Sequence, residues 1–134
     1  MKPLRRPADP AKTAKNYLAA VLPGLVGAPV PTFGMVLPKT WTTASVPAVV
    51  VFDDGGPSTW PVSTRPTVRV TVWADGRDRA RTIAGAALGV LLAHRIPGIA
   101  AITNPTGLLE AVDSNNGGIT ASFTVSATAR TLAV

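Results

Sequence analysis

Cysteine is absent from the 134 residues. That excludes a disulfide framework, a thiolate nucleophile and any Cys-ligated zinc, and it is compatible with a reducing compartment. Histidine occurs once, at His94. A lone imidazole removes almost every His-based metal site and any multi-histidine relay. Aromatic residues make up 5% of the chain, which argues against a base-stacking surface. No window approaches the roughly 20 uninterrupted apolar residues of a membrane span. Arg77–Ile96 comes closest, but its start is charged and Gly85 and Gly89 interrupt it. The opening MKPLRRPADPAKTAK has basic residues with no apolar run behind them, so it does not read as a secretory signal.

What is present is apolar and basic. Hydrophobic residues make up 46% of the chain, and the mean hydropathy is +0.28. One globular domain with a real core is therefore expected over residues 9–134, with 1–8 as a disordered basic arm. The formal charge is +6, from 13 basic and 7 acidic residues. A basic balance can serve nucleic acid or acidic surfaces. Here the cations are dispersed. Lys2, Arg5, Arg6, Lys12 and Lys15 lie near the start, and Arg77, Arg79 and Arg81 interleave with Asp75 and Asp78. Arg65, Arg69, Arg95 and Arg130 are scattered. Phosphate contacts ask for clustered cations, so a solvated or interface charge pattern is the simpler reading.

The clearest unit is Arg65–Ile96, RPTVRVTVWADGRDRARTIAGAALGVLLAHRI. Val68, Val70 and Val72 alternate with Thr67, Arg69, Thr71 and Trp73, which predicts a strand with one buried and one polar face. Asp75 is the expected N-cap of the following helix, with Asp78 three residues on as a variant capping box. Ala80, Ile83, Ala84, Ala87, Leu88, Leu91 and Leu92 then form an apolar stripe at helical period. Pro97-Gly98 ends it.

Elsewhere the signals are shorter. Asp9-Pro10 reads as N-cap and first residue of a helix running to about Leu22, with Ala14, Tyr17, Leu18, Val21 and Leu22 as its apolar side. Thr32–Leu37 reads as a short strand and Val46–Phe52 as a buried one. Asp53-Asp54-Gly55-Gly56-Pro57 is a turn. The loop from there to Arg65 is long enough to carry an interaction surface. In Ile99–Val112, Asn104-Pro105 breaks the run and Leu108–Val112 is the part expected to pair. Asp113–Gly118 is the turn of a hairpin. The last strand alternates Ile119, Ala121, Phe123, Val125, Ala127 and Ala129 with Thr120, Ser122, Thr124, Ser126, Thr128 and Arg130. The order is α-β-β-β-α-β-β. We expect an α+β fold, a single mostly antiparallel sheet with two helices packed on one face. Such a sheet leaves its other face and an edge open, and those features are either blunted or used for assembly.

Chemistry-bearing groups are sparse. Asp53-Asp54 is the one adjacent carboxylate pair, and a metal would want a further converging acid or histidine. His94 sits where a cation suits a helix C-terminus, and no serine or cysteine is placed by a nucleophile motif. Gly55-Gly56 and Gly117-Gly118 match no phosphate-cradling loop. No cofactor, metal or catalytic residue is expected. Gly85 and Gly89, four apart, make a small-residue groove, for packing on the sheet or against another subunit. Trp41 and Trp60 lie in loops, either pinned to the core or at an interface, and Trp73 ends the central strand. The candidate interface residues are Trp41, Trp60, Arg65, Arg69, Trp73 and Arg130.

This layout of early helix, VVVF strand, Gly-rich turn, VRVTVWA strand, Asp/Arg turn, Ala/Leu helix and closing hairpin resembles tail terminator proteins of long-tailed, siphovirus-type phages. The Ala, Arg, Pro and Thr bias resembles a phage of an actinobacterial host. The likeness runs from about Asp9 to the C-terminus, is strongest over Val68–Leu92, and is one of organisation, with no chemical residues to transfer. It implies a structural, non-enzymatic virion protein at the head–tail junction, assembled in the host cytoplasm. It also implies a homo-hexameric ring that caps the tail tube, stops its polymerisation and meets the head-completion or connector protein. DNA would pass through without specific binding, and no membrane is involved. The alternatives are a head-completion or stopper protein of the same virion, or a small nucleic-acid-binding module using the basic arm with Arg77, Arg79 and Arg81. Exposed cations in a DNA channel would hold phosphates, so most arginines are expected outside the lumen or in salt bridges.

Overall fold

The computed structural model describes residues 2–134. In chain order the first elements are β1 (Arg5–Arg6), α1 (Pro10–Val21), α2 (Pro23–Val26), β2 (Thr32–Gly34) and β3 (Ala48–Asp53). They are followed by β4 (Ser58–Thr59), β5 (Ser63–Thr64), β6 (Thr67–Ala74) and α3 (Arg77–Ala93). The chain closes with β7 (Ala101–Thr103), β8 (Leu109–Val112), β9 (Ile119–Arg130) and β10 (Leu132–Ala133). The fold is α+β with a mostly antiparallel sheet. The only parallel pair among the described residues is β2 with β3. No helix of the described residues is long and apolar enough to cross a membrane.

The centre of the sheet is β3-β6-β9, and the period-two alternation sets its two faces. Val49 and Val51 of β3 stand opposite Val72 and Val70 of β6. Val68, Val70 and Val72 in turn stand opposite Val125, Phe123 and Ala121 of β9. All these residues are buried and form one cluster with Leu18 and Leu22 from the α1 end and Ile83, Ala87 and Leu91 of α3. α1 and α3, the two long helices, therefore lie on that face, and the four-residue α2 buries no residue. Burying so many β-branched and aromatic side chains is the main stabilising term, roughly 1.5–3 kcal/mol for each fully buried one.

The N-terminus of α1 is built as its sequence reads. The Asp9 carboxylate accepts the Lys12 N–H at 3.1 Å, and Pro10 takes the first turn, where it loses no hydrogen bond. The start of α3 differs. Its N-cap is Gly76, in extended backbone, with no side-chain cap bond, so Asp75 does not fill that role. Asp78 remains in the first turn, beside Arg77 at 3.4 Å. The α3 stripe also shifts. Val90 is buried, while Leu92 is 48% exposed. The cause is geometric. Each i+4 step overshoots a full turn by about 40°, so Leu92 has drifted well around the helix from Ala84.

Three further differences are long-range. Arg5–Arg6 pair antiparallel with Leu132–Ala133, so the expected free arm is docked at those residues. The Arg5 guanidinium holds it there, donating to Thr131 Oγ1 at 3.2 Å and to Thr131 O at 2.6 Å. The stretch before β6 folds as a small hairpin, β4 with β5, which extends the β6 side of β9. β8 forms the expected hairpin with the opposite side of β9, and β7 joins β9 on that same side. Between them Asn104 takes a positive φ of 52°, and Thr106 continues the pairing through Thr124 at 3.0 Å.

Candidate functional site

The face of the sheet away from the helices is polar at its centre. Register places Thr67, Arg69, Thr71 and Trp73 of β6 beside Ser126, Thr124, Ser122 and Thr120 of β9. Thr124, Ser126 and Thr128 are half-buried there. Next to this face, β7 and β8 form the outer edge of the sheet, where Leu109 is 71% and Val112 66% exposed. Backbone groups on such an edge are free to pair with another strand.

The six candidate residues separate into two ends and a middle. Trp41 and Trp73 lie at the end where β8 turns into β9. Trp41 is 5% exposed, and its indole N–H donates to Val46 O at 2.9 Å. It is a core pin for its loop rather than an exposed contact. Gly118 makes room for it: a Cβ there would lie 2.6 Å from Trp41 Cζ3. Trp73 is half-buried and its indole N–H donates to Asp113 at 2.9 Å. Together with the Asn115 and Asn116 contacts, that bond holds the Asp113 carboxyl below its ordinary range. Glu110 lies nearby on β8, on the helix side. It accepts from Arg81 at 2.8 Å and Arg77 at 2.7 Å. The Arg81 hydrogen bond is the largest cause of its lowered pKa, with Arg77 adding to it against desolvation.

Arg69 sits in the middle of the polar face. It pairs with Asp54 at 3.0 Å and lies over the Phe52 ring at 4.1 Å. The Asp53-Asp54 pair is thereby split. Asp54 holds Arg69, and Asp53 accepts the Gly55 N–H at 2.8 Å within its own turn. Among the described residues, no three His, Asp or Glu side chains are grouped to hold a metal.

Trp60, Arg65 and Arg130 fall at the opposite end. Trp60 is 50% exposed at the β4–β5 turn, and Arg65 and Arg130 are exposed. Sequence spacing left out two other members of that end. Arg95 shares a groove with Arg130, and Arg5 is fastened to Thr131. No local signal connects these positions, because the chain brings them together only after folding.

The basic set proposed for a nucleic-acid module does not converge. Arg77 and Arg81 are paired with Glu110. Arg79 donates to the carbonyls of Val26, Gly27 and Pro29 at 2.7, 3.0 and 2.9 Å, fixing the loop after α2. The arm lies at the far end of the sheet, against β10. His94 caps the C-terminus of α3, and its Nδ1 is 2.7 Å from the Tyr17 hydroxyl. Gly85 and Gly89 face solvent, so they do not serve packing on the sheet. No protein-family model matches the chain, and no curated protein matches it.

Proposed function

We propose that this chain is a structural protein of a phage virion, a tail terminator that assembles into a ring at the head-proximal end of the tail tube. The observation that carries the reading is the Ser/Thr face of β9 lying beside the exposed β7/β8 edge. A polar, half-buried face and an open edge on a rigid two-layer core suit repeated contact between copies, since an unpaired strand accepts a further strand. The resemblance of the whole layout adds the location and the partners. Ring closure makes the assembly finite, because each subunit then has no free equivalent contact left in the plane. Arg69, Arg77 and Arg81 are neutralised by carboxylates, which fits a subunit bordering a DNA path.

Light scattering at several concentrations and two salt levels tests this. The expected result is a mass of roughly six chains, or a monomer converting to it with concentration. Leu109→Lys with Val112→Lys, placed on the open edge, should abolish that conversion while leaving the monomer folded. Purified tail tubes supply the second arm. A protein that stays monomeric with tubes present, and leaves tube length unchanged, ends the terminator reading.

A further inference from the structure

The end of the molecule around Thr131 has no place in the ring reading above. Thr131 is buried although it lies near the C-terminus, because three segments converge on it. Arg5 donates to its carbonyl and hydroxyl oxygens. Its N–H donates to Val62 O at 3.0 Å, and its hydroxyl donates to Pro61 O. The N-terminal strand, the β4–β5 turn and the end of β9 are thereby tied into one ordered platform.

The platform is left open in two chemical respects. First, large apolar side chains stand exposed on it: Trp60 and Val62 on the turn and Leu132 on β10, with Leu4 and Val134 beside the β1–β10 pair. Scattered apolar residues are ordinary on a surface, but several gathered on one ordered patch mark a contact site. Second, its cations lack carboxylates. Arg95 and Arg130 border a groove of about 450 Å³ whose other walls include Ile99, Leu132 and Ala8, with no acid among them. Neither guanidinium makes a hydrogen bond or ion pair among the described residues, whereas Arg69, Arg77 and Arg81 all do. Asp9, next in sequence to the groove residue Ala8, is occupied in capping α1.

We infer that this tip, built on Arg95, Arg130, Leu132, Trp60 and Val62, docks a protein segment that carries carboxylate side chains beside apolar ones. Tryptophan and arginine are the residue types that dominate protein–protein contacts, and a planar guanidinium matches a carboxylate in a two-bond fork. The groove supplies both halves of that chemistry in Arg95 and Arg130 beside Ile99 and Leu132, and the Thr131 N–H to Val62 O bond ties the turn carrying Trp60 and Val62 to the same end. A nucleic-acid backbone fits less well. It would need a row of cations, and here Leu132, Val62 and Trp60 would face phosphates with no hydrogen bond to offer. A second copy of the chain has less to offer: Asp9, Asp54, Glu110 and Asp113 are already engaged by the Lys12 N–H and by Arg69, Arg77, Arg81 and Trp73, which leaves chiefly Asp75 and Asp78 at the start of α3 exposed. The inference stands on the tip alone and does not depend on ring formation.

The test uses the full chain and four labelled probes read by fluorescence anisotropy near physiological salt. They are a short peptide alternating Glu with Leu, the same peptide with Gln for Glu, oligoglutamate, and a duplex DNA. The Glu/Leu peptide is expected to bind with a Kd of about 100 µM or tighter, at least about tenfold better than either control peptide. Arg95→Glu with Arg130→Glu should weaken it about tenfold or more, and Trp60→Ser about threefold. All three positions are exposed, so urea unfolding should show these variants folded as wild type. Failure of the Glu/Leu peptide to bind, or binding unchanged in the charge-reversed variant, overturns the inference. So does oligoglutamate binding equally well, which would leave bare charge attraction. Tighter binding of the duplex with a steep salt dependence would reassign the tip to nucleic acid. Loss of a self-associated form on charge reversal would reassign it to a second copy.

Discussion

The two ends of the sheet carry the same kinds of side chain in opposite circumstances. At the β8–β9 turn, Trp41, Trp73, Arg77, Arg81, Glu110 and Asp113 satisfy one another or the nearby backbone. At the Thr131 end, Trp60, Arg95 and Arg130 are presented outward. The difference teaches that composition does not separate structural from interaction residues. An indole over a glycine in a closed turn is packing. An indole on an exposed hairpin beside unpaired guanidinium groups is surface to be covered.

The sharpest way to break that contrast is to delete one tryptophan from each end. Trp41→Ala should cost about 3–5 kcal/mol in urea unfolding, because it empties a buried site. Trp60→Ala should stay within about 0.5 kcal/mol of wild type. Equal costs would mean that the tip is as much a part of the core as the turn is. Gly118→Ala comes next, at about 1–3 kcal/mol, since its methyl must displace the Trp41 ring from the closed end. A neutral result would show that the ring has room to move.

Thr131→Val probes whether the open end is ordered by its hub. It removes the hydroxyl that serves Arg5 and Pro61, and about 1–2 kcal/mol should go with it. Amide exchange should quicken at Val62 and Arg6 and stay unchanged at Val70. Exchange that quickens everywhere would contradict a local hub.

Acid sharpens the comparison with the gentlest effect. The folded pKa values of Glu110 and Asp113 are both lowered. Their stabilisation is present above their unfolded pKa values and is lost as pH falls through the folded ones, that is, below about pH 4. The closed end should therefore loosen first in acid, while the arginines of the tip keep their charge. Glu110→Gln should flatten part of the acid slope. A slope identical to wild type would show that the Arg81 and Arg77 bonds carry no linkage.

Much of the fold was legible because it is local. The alternation of Val68, Val70 and Val72, the Asp9-Pro10 helix start and the clean β9 pattern depend on neighbours within a few residues. Local logic also misplaced two residues. Asp75 reads as the N-cap of α3 by residue type, but the extended backbone enters the helix at Gly76. Leu92 matched the apolar stripe by counting, but the helix had rotated it to solvent. The candidate site was less legible. Trp41 and Trp60 sit in loops of similar composition, and the fold distinguishes them by burying Trp41 beside Gly118 with its N–H on Val46 O. Arg95 was passed over because its groove partners, Arg130 and Leu132, are far away in sequence.

By itself the sequence determined the α+β character, the apolar faces of β3, β6 and β9, and the poverty of groups able to do chemistry. These follow from side-chain periodicity and from which residue types are present, and neither needs a distant partner. The tertiary structure decided which cations are neutralised, which tryptophan is buried, and where the termini dock. Charge attraction and desolvation act over a few ångströms of space. Residues such as Arg5 and Thr131, or Arg77 and Glu110, acquire that proximity only when the chain has folded.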